Sequence, residues 1–367
     1  MTQLQMLAVG YVFFMTLIAV EAAVSRWRAD GFYTIGELVV NIGHGVVYQV
    51  FDHLTKHIVV VPFAVLSGWV SWQVLPTNAA WAWVVGFVAY DFCSYWCHRH
   101  HHEVHALWAV HGVHHAAEDF NLAAALRQPA FQGFTNWFWR LPLALVMPVR
   151  MFIVLVVVDF LYQFVLHTRY VGKLGPLEWV LNTPSHHRVH HGWDEEYSDR
   201  NYGGMLIVWD RMFGTFQEER QEPEYGVTKP LNTLNAVWGN FAIFRELWQA
   251  MIRAPGLNKV GLWLRGPEAL ARLSPAHRYQ VPTQPQPDTQ PPWLQAYVLL
   301  GAMVVPPVLG WMLLVGGSWS PTIQWAMSGW LVWSVVAAGA LLEGRRWVRS
   351  FEVVRWLLGV VVIGVAI

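Results

Sequence analysis

A chain of 367 residues that is 55% hydrophobic, 15% aromatic and only 13% charged falls well short of the roughly 25% charged residues of soluble domains. Its formal net charge of zero leaves no basic footprint and excludes a nucleic-acid partner. The composition is that of an integral, multi-pass membrane protein, all-α in class.

Leu4–Val24 is nearly all apolar and long enough to cross a bilayer core of about 30 Å. It lacks the basic flank and the small-residue cleavage site of a signal peptide. Arg26 and Arg28 follow at once and put that end in the cytoplasm, so residues 1–34 are set apart as an N-terminal transmembrane segment. Ile35–Leu54 intersperses Glu37, Asn41, His44, Gln49, Asp52 and His53 among apolar residues, as an amphipathic interfacial helix does. His53 and His57 stand four apart, but nothing nearby completes a site and they are read as non-ligands. Ile58–Leu75 then crosses outward, Pro76–Ala79 turns and Trp81–Cys97 returns. Asp91 lies inside that returning span, where an acid is costly and a functional candidate. Cys93 and Cys97, the only cysteines, are read as buried thiols rather than a disulfide.

The stretch HRHHHEVHALWAVHGVHH, His98–His115, follows on the cytoplasmic side. His98 and His102 are spaced HxxxH, and His111, His114 and His115 are spaced HxxHH; His187, His190 and His191 repeat the second pattern. On a helix, residues three and four apart share a face, so each group aims its imidazoles at one point. Clustered imidazoles repel if protonated and lose hydration if buried, and a metal ion resolves both problems.

Ala116–Gln128 is short and polar. Phe131–Leu166 is apolar, interrupted by Pro142, Pro148 and Arg150, and is expected to form a hairpin of two spans that returns His167 to the same face. Thr168–Ser274 is a membrane-adjacent cytoplasmic region in which Ala236–Ile252 forms an amphipathic surface helix, and Gly203–Gly204 permits a tight backbone. The histidine-bearing region thus runs over 35–274. Residues 275–292 hold six of the twenty prolines and form a linker. Within 293–367, the segments Trp293–Val315, Ile323–Leu342 and Phe351–Ile367 are further transmembrane segments of unknown role, with Arg345, Arg346 and Arg349 on the cytoplasmic side.

DFCSYWCHRHHHEVHALWAVHGVHHAAEDFNLAAALRQ, LHTRYVGKLGPLEWVLNTPSHHRVHHG and NYGGMLIVWDRMFGTF resemble the fatty acid hydroxylase/sterol desaturase superfamily. EYGVTKPLNT (Glu224–Thr233) and Pro255–Pro267 extend the likeness toward its branch acting on ether-linked lipids, over roughly Ile35–Ser274. The resemblance implies a helical membrane enzyme with a histidine-rich di-metal cap, normally two Fe ions, that activates dioxygen. Carried over by position, the ligands are His98, His102, His111, His114, His115, His167, His187, His190 and His191, and Glu103 matches an acidic catalytic position. Gln163 stands where some members have a further histidine. His100, His101 and His105 fall outside the boxes. Asp91, Glu118, Asp119, Asn121, Gln163, His186, Asp199 and Asn201 are candidates to hold the ligands' outer ring nitrogens, and Arg127 and Arg188 to pair with acids or a lipid head group.

Imidazole alone does not select iron; zinc binds such a site more tightly, so purified material can carry Zn. The expected activity is O2-dependent monooxygenation of a lipid at an ether-linked carbon, on the cytoplasmic face. Fatty acyl, sterol or carotenoid hydroxylation or desaturation is the alternative within the superfamily. A histidine-rich metal transporter or sensor is the alternative from another class, disfavoured because transport ligands sit near the bilayer midplane. Without a haem-domain or Gly-rich nucleotide motif in the chain, electrons come from tetrahydrobiopterin, which the resemblance implies, or from a separate redox partner.

Overall fold

The computed structural model describes residues 3–70, 74–254, 258–267 and 290–367; most of the expected 275–292 linker lies outside them. Among the described residues the structure is α-helix and short 3-10 turns, and β-structure is confined to the isolated bridges Leu181–Leu206 and Gly192–Tyr225.

Helix α1 (Gln3–Arg28) is followed by α2 (Ile35–Trp69), which begins where the Thr34 side chain accepts from the Glu37 amide. The separate interfacial helix expected at Ile35–Leu54 and the start of the span expected from Ile58 are one 35-residue helix that ends at Trp69, bent by 44° between Ile35–Thr55 and Val60–Trp69. Pro62 lies in its second half; its missing N–H removes a rung of the helical ladder, the usual origin of such a bend. Helix α3 (Ala80–Glu103) ends at Val104, whose φ of −116° and ψ of 118° are extended, and α4 (His105–His115) starts immediately after it.

Phe131–Leu166 does not make two crossings. It forms α5 (Gln132–Arg140), a 3-10 turn at Leu141–Leu145 opened by Pro142, and α6 (Val149–Leu166), entered from Pro148. Nine residues of α5 reach about 14 Å, half a bilayer core, so within this segment only α6 is long and apolar enough to cross. Short helices α7 (Pro184–His191) and α8 (Val208–Phe213) precede α9 (Ala236–Arg253) and α10 (Asn258–Leu264). Among the described residues four C-terminal helices follow: α11 (Pro292–Val315), α12 (Pro321–Leu342), α13 (Arg346–Arg349) and α14 (Glu352–Ala366).

Among the described residues α6, α11 with its 3-10 extension to Ser318, and α12 are long and apolar enough to cross a membrane, and the bent α2 makes a fourth. The expected crossing at Phe351–Ile367 becomes α14, whose fifteen residues reach about 22 Å. Trp81–Cys97 opens α3, whose last turns carry histidines and charges instead of continuing the apolar run.

Three clusters make the interior. Phe14 and Ile18 of α1 and Val46 and Val50 of α2 pack with Leu309 of α11 and Leu331 of α12. Ala82 and Tyr90 of α3 meet Met151 and Leu155 of α6. Ala109 and Val113 of α4 meet Ala242, Ile243 and Leu247 of α9. The expected amphipathic character of Ala236–Ile252 is present, but its small-residue face is covered by α4 and its outward face carries Trp238, Phe241, Trp248 and Ile252.

Candidate metal centre and its cavity

The break at Val104 lays α4 beside the last turns of α3, so His98 and His102 face His111 and His115, with ring centroids 4.9 Å apart for His98–His111 and 4.6 Å for His102–His115. Helix α7 is capped by the Thr183 hydroxyl, which accepts from the His186 amide, and Pro184 opens its first turn, a favoured start because the first amide is unpaired anyway. Its HxxHH face closes the site. Two groups result, His98, His102, His111, His115 and His190, and His114, His167, His187 and His191; within each, one ring nitrogen per residue lies within 4.8 Å of all the others. The groups adjoin, with the His115 and His191 rings stacked at 4.3 Å.

The outer nitrogens are held. Nδ1 of His98, His114, His167 and His190 donates to the carbonyl oxygens of Tyr202 (2.9 Å), Arg127 (3.1 Å), Gln163 (2.8 Å) and Arg200 (2.9 Å). A carbonyl only accepts, so each of these neutral rings carries its proton on Nδ1 and turns an Nε2 lone pair inward. Nε2 of His167 therefore meets Nε2 of His114 lone pair to lone pair at 3.4 Å. Nε2 of His102, His190 and His191 is buried without a hydrogen-bond partner, each a penalty of about 1–3 kcal/mol if left bare. Protonation is no remedy. Burial, and then the neighbouring imidazoles, hold His111, His114, His115, His187, His190 and His191 well below the ordinary histidine range, and burial pushes His167 down to about 4. A cation shared by inward lone pairs satisfies every one of these atoms, so the donor set fits metal.

Other sequence candidates go elsewhere. Glu103 accepts from Arg99 Nε at 2.8 Å, 43% of its side chain exposed, outside both groups. Asp91 accepts from the Met205 and Leu206 amides and the Trp209 indole. Asp119 accepts from the Thr34 amide, and Asn121 caps the 3-10 turn at Leu122–Leu126. The Glu118 amide donates to Glu37. Asn201, at φ 55°, ties the His186 and Gln217 carbonyls together, and the His186 ring packs on Phe216. Asp199 does approach a ligand candidate, at 3.6 Å from His102 Nδ1. Arg127 pairs with Glu37 at 2.7 Å and Arg188 binds Glu219 through two bonds. His53 meets Gln324; the side chain of His57 lies outside the described residues. His101 contacts the Cys97 carbonyl and Thr135, and His100 the Trp96 carbonyl.

Sequence reasoning missed Gln132, whose Oε1 is 3.0 Å from His111 Nδ1, and the four carbonyls, which no side-chain pattern announces. It also missed Asp210, which accepts from the Tyr202 and Gly203 amides and from Thr215 and so fixes the loop that offers the Tyr202 carbonyl to His98. Gly203 is tight for the reason expected: a Cβ there would lie 2.5 Å from the Leu206 carbonyl oxygen.

A cavity of about 180 Å³ opens from the histidines toward α3, α5 and α6, with His98, His111, His114, His167 and His187 in its wall. Gln163 faces this cavity, and its own carbonyl holds His167. The site is a buried, metal-competent pocket at the edge of membrane-crossing helices.

Residues 83–215 match the fatty acid hydroxylase family. The alkylglycerol monooxygenase of Danio rerio is 33% identical over 355 residues, 94% of this chain and 79% of its own length. Those of Homo sapiens and Xenopus tropicalis are 38% and 37% identical over 260 residues, 70% of this chain and 58% of theirs. No solved structure matches. The chain belongs to the fatty acid hydroxylase family, among the relatives of the alkylglycerol monooxygenases, and is a lipid-hydroxylating membrane monooxygenase.

Proposed function

We propose that the nine convergent histidines hold two iron ions and that the enzyme uses dioxygen to oxidise an alkylglycerol lipid at the carbon beside its ether oxygen. The facing lone pairs of His114 and His167 carry the metal part of this reading, and the names of the alkylglycerol monooxygenase relatives support the substrate. Iron would supply the redox chemistry that activates dioxygen against an unactivated C–H bond, which zinc lacks. His98, His102, His111, His115 and His190 would hold one ion, and His114, His167, His187 and His191 the other.

The protein's own part is orientation and exclusion of water. Main-chain carbonyls lock four rings by their Nδ1 protons, so the donor set is organised before any metal arrives. Phe120 stacks on His167 at 5.6 Å and under Tyr225 at 4.8 Å, and Trp108 packs 5.1 Å from His102. These rings, which do not line the cavity, cover histidines of the site and help keep a reactive centre dry. The basic residues Arg26, Arg28, Arg345, Arg346 and Arg349 support a cytoplasmic site by the positive-inside rule. Electrons would come from tetrahydrobiopterin or from a separate redox partner.

The test is metal counting on the purified full-length protein, followed by oxygen uptake with an alkylglycerol and reduced pterin, with products read by mass spectrometry. Two irons per chain and oxygen uptake matched by oxidised lipid are expected. Bound metal with no oxygen consumed on any lipid would overturn the reading and favour a metal carrier.

A further inference from the structure

The cavity beside the histidines is lined by polar groups that the metal centre does not use. Arg140 from the end of α5 and Asp159 from the middle of α6 face it together with Tyr90 and Ser94 of α3. An acid inside a membrane-crossing helix is expensive and is retained for a task. Mutual neutralisation is the plainest task, yet it is incomplete here. Arg140 Nη2 stands 3.6 Å from Asp159 Oδ2, too far for a charge-assisted hydrogen bond. That oxygen instead accepts from the Tyr90 hydroxyl at 3.0 Å, and the guanidinium lies over the Tyr90 ring at 5.1 Å. Arg140 Nε, Asp159 Oδ1 and Ser94 Oγ, all buried, are left without hydrogen-bond partners.

One cavity thus offers a spare donor and a spare acceptor within the same small volume as the inner histidines. A hydroxyl group is both donor and acceptor, and adjacent hydroxyls on one molecule satisfy both at once. At about 180 Å³ the space is smaller than the roughly 300 Å³ or more of a site for a drug-sized ligand. It suits the polar end of a lipid and not its full chain. A substrate oxidised in the middle of a hydrocarbon chain would present only methylenes here and leave these atoms bare.

We infer that Arg140 and Asp159 bind the free hydroxyl groups of the substrate's head and so fix which end of the lipid enters the cavity. The inference rests on the lipid monooxygenase reading above and names the residues that recognise the substrate's hydroxyls. Tyr90 acts as a positioning residue that fixes the Asp159 carboxylate.

The experiment measures binding and turnover separately on full-length protein in lipid nanodiscs. The ligands are a 1-O-alkylglycerol and its analogue with both hydroxyls methylated. Wild type is expected to bind the free diol at least tenfold more tightly. Arg140→Met and Asp159→Asn are expected to lower diol affinity at least tenfold and change that of the methylated analogue by less than twofold, with bound metal retained. Equal affinities of wild type for the two ligands overturn the inference, whatever the variants do. So does equal weakening of both ligands in the variants, which is the signature of a structural ion pair, and so does loss of reduced-pterin binding with lipid binding intact. Hydroxyl-dependent binding without turnover would keep the subsite and sink the monooxygenase reading of the substrate; turnover without hydroxyl discrimination would do the reverse.

Discussion

At the scale of single residues, the histidines divide by what holds their backs. His190 has Nδ1 on the Arg200 carbonyl and a bare Nε2, so it is preorganised for an ion and has no other partner. His190→Ala is expected to lower bound metal from two ions per chain toward one and to abolish turnover, read by elemental analysis and product formation; full metal occupancy would remove it from the ligand set. Arg127 works through its backbone and its charge together. Its carbonyl holds His114, while its guanidinium, buried, pairs with Glu37 at 2.7 Å and Asn41 at 2.6 Å. Arg127→Met leaves Glu37 buried without its charge partner, a loss of about 3–5 kcal/mol, which a fall in thermal stability would report. The HxxxH and HxxHH spacings made the nine inward imidazoles legible because side-chain periodicity is written in residue identity. The carbonyls of Tyr202, Arg127, Gln163 and Arg200 were not, since any residue has one.

At the scale of elements, the histidine helices are aimed by what packs behind them. Gly112 sits where α4 crosses α9, and a Cβ there would lie 2.5 Å from Ile243 Cδ1 and 2.8 Å from the Trp108 ring. Gly112→Ala is expected to destabilise by about 1–3 kcal/mol through overpacking. Ile243→Val removes the methyl that Ala would strike, so the double variant should recover part of the loss. Purely additive destabilisation in thermal unfolding would show that α4 is not seated by this contact. Strong punctuation was readable, as at Pro76–Ala79, where the Ala79 amide donates to the Pro76 carbonyl and α3 starts at Ala80. The single bent α2 was not, because the polar interruptions between Ile35 and Leu54 look alike on an interfacial helix and on a helix buried among other helices. Nor was the collapse of the Phe131–Leu166 hairpin, since Pro142 and Pro148 can end a span or replace one with a turn.

At the scale of the whole molecule, the C-terminal helices touch the segment that starts α9 and, among the described residues, contribute no ligand to the metal centre. Glu343, at the end of α12, accepts from the Thr233 hydroxyl at 3.0 Å and the Leu234 amide at 2.8 Å. That segment leads directly into Asn235, whose side chain caps α9, and α9 seats α4 with His111, His114 and His115. The join is close: a Cβ on Gly339 of α12 would fall 2.2 Å from the Leu234 carbonyl oxygen. Backbone atoms on both sides cannot yield as a flexible side chain would, so Gly339→Val must push α12 and the start of α9 apart. Imidazoles need placement within a fraction of an ångström to share an ion, and a shift of α9 is passed to them through the Ala109 and Val113 contacts. Gly339→Val is therefore expected to reduce bound metal and activity together, by tenfold or more in activity. Gly329 of the same helix meets no atom within 4 Å of an added Cβ, so Gly329→Val should leave both unchanged. Full metal content in Gly339→Val, or equal losses in the two variants, would mean that α12 serves membrane insertion alone and does not brace the site.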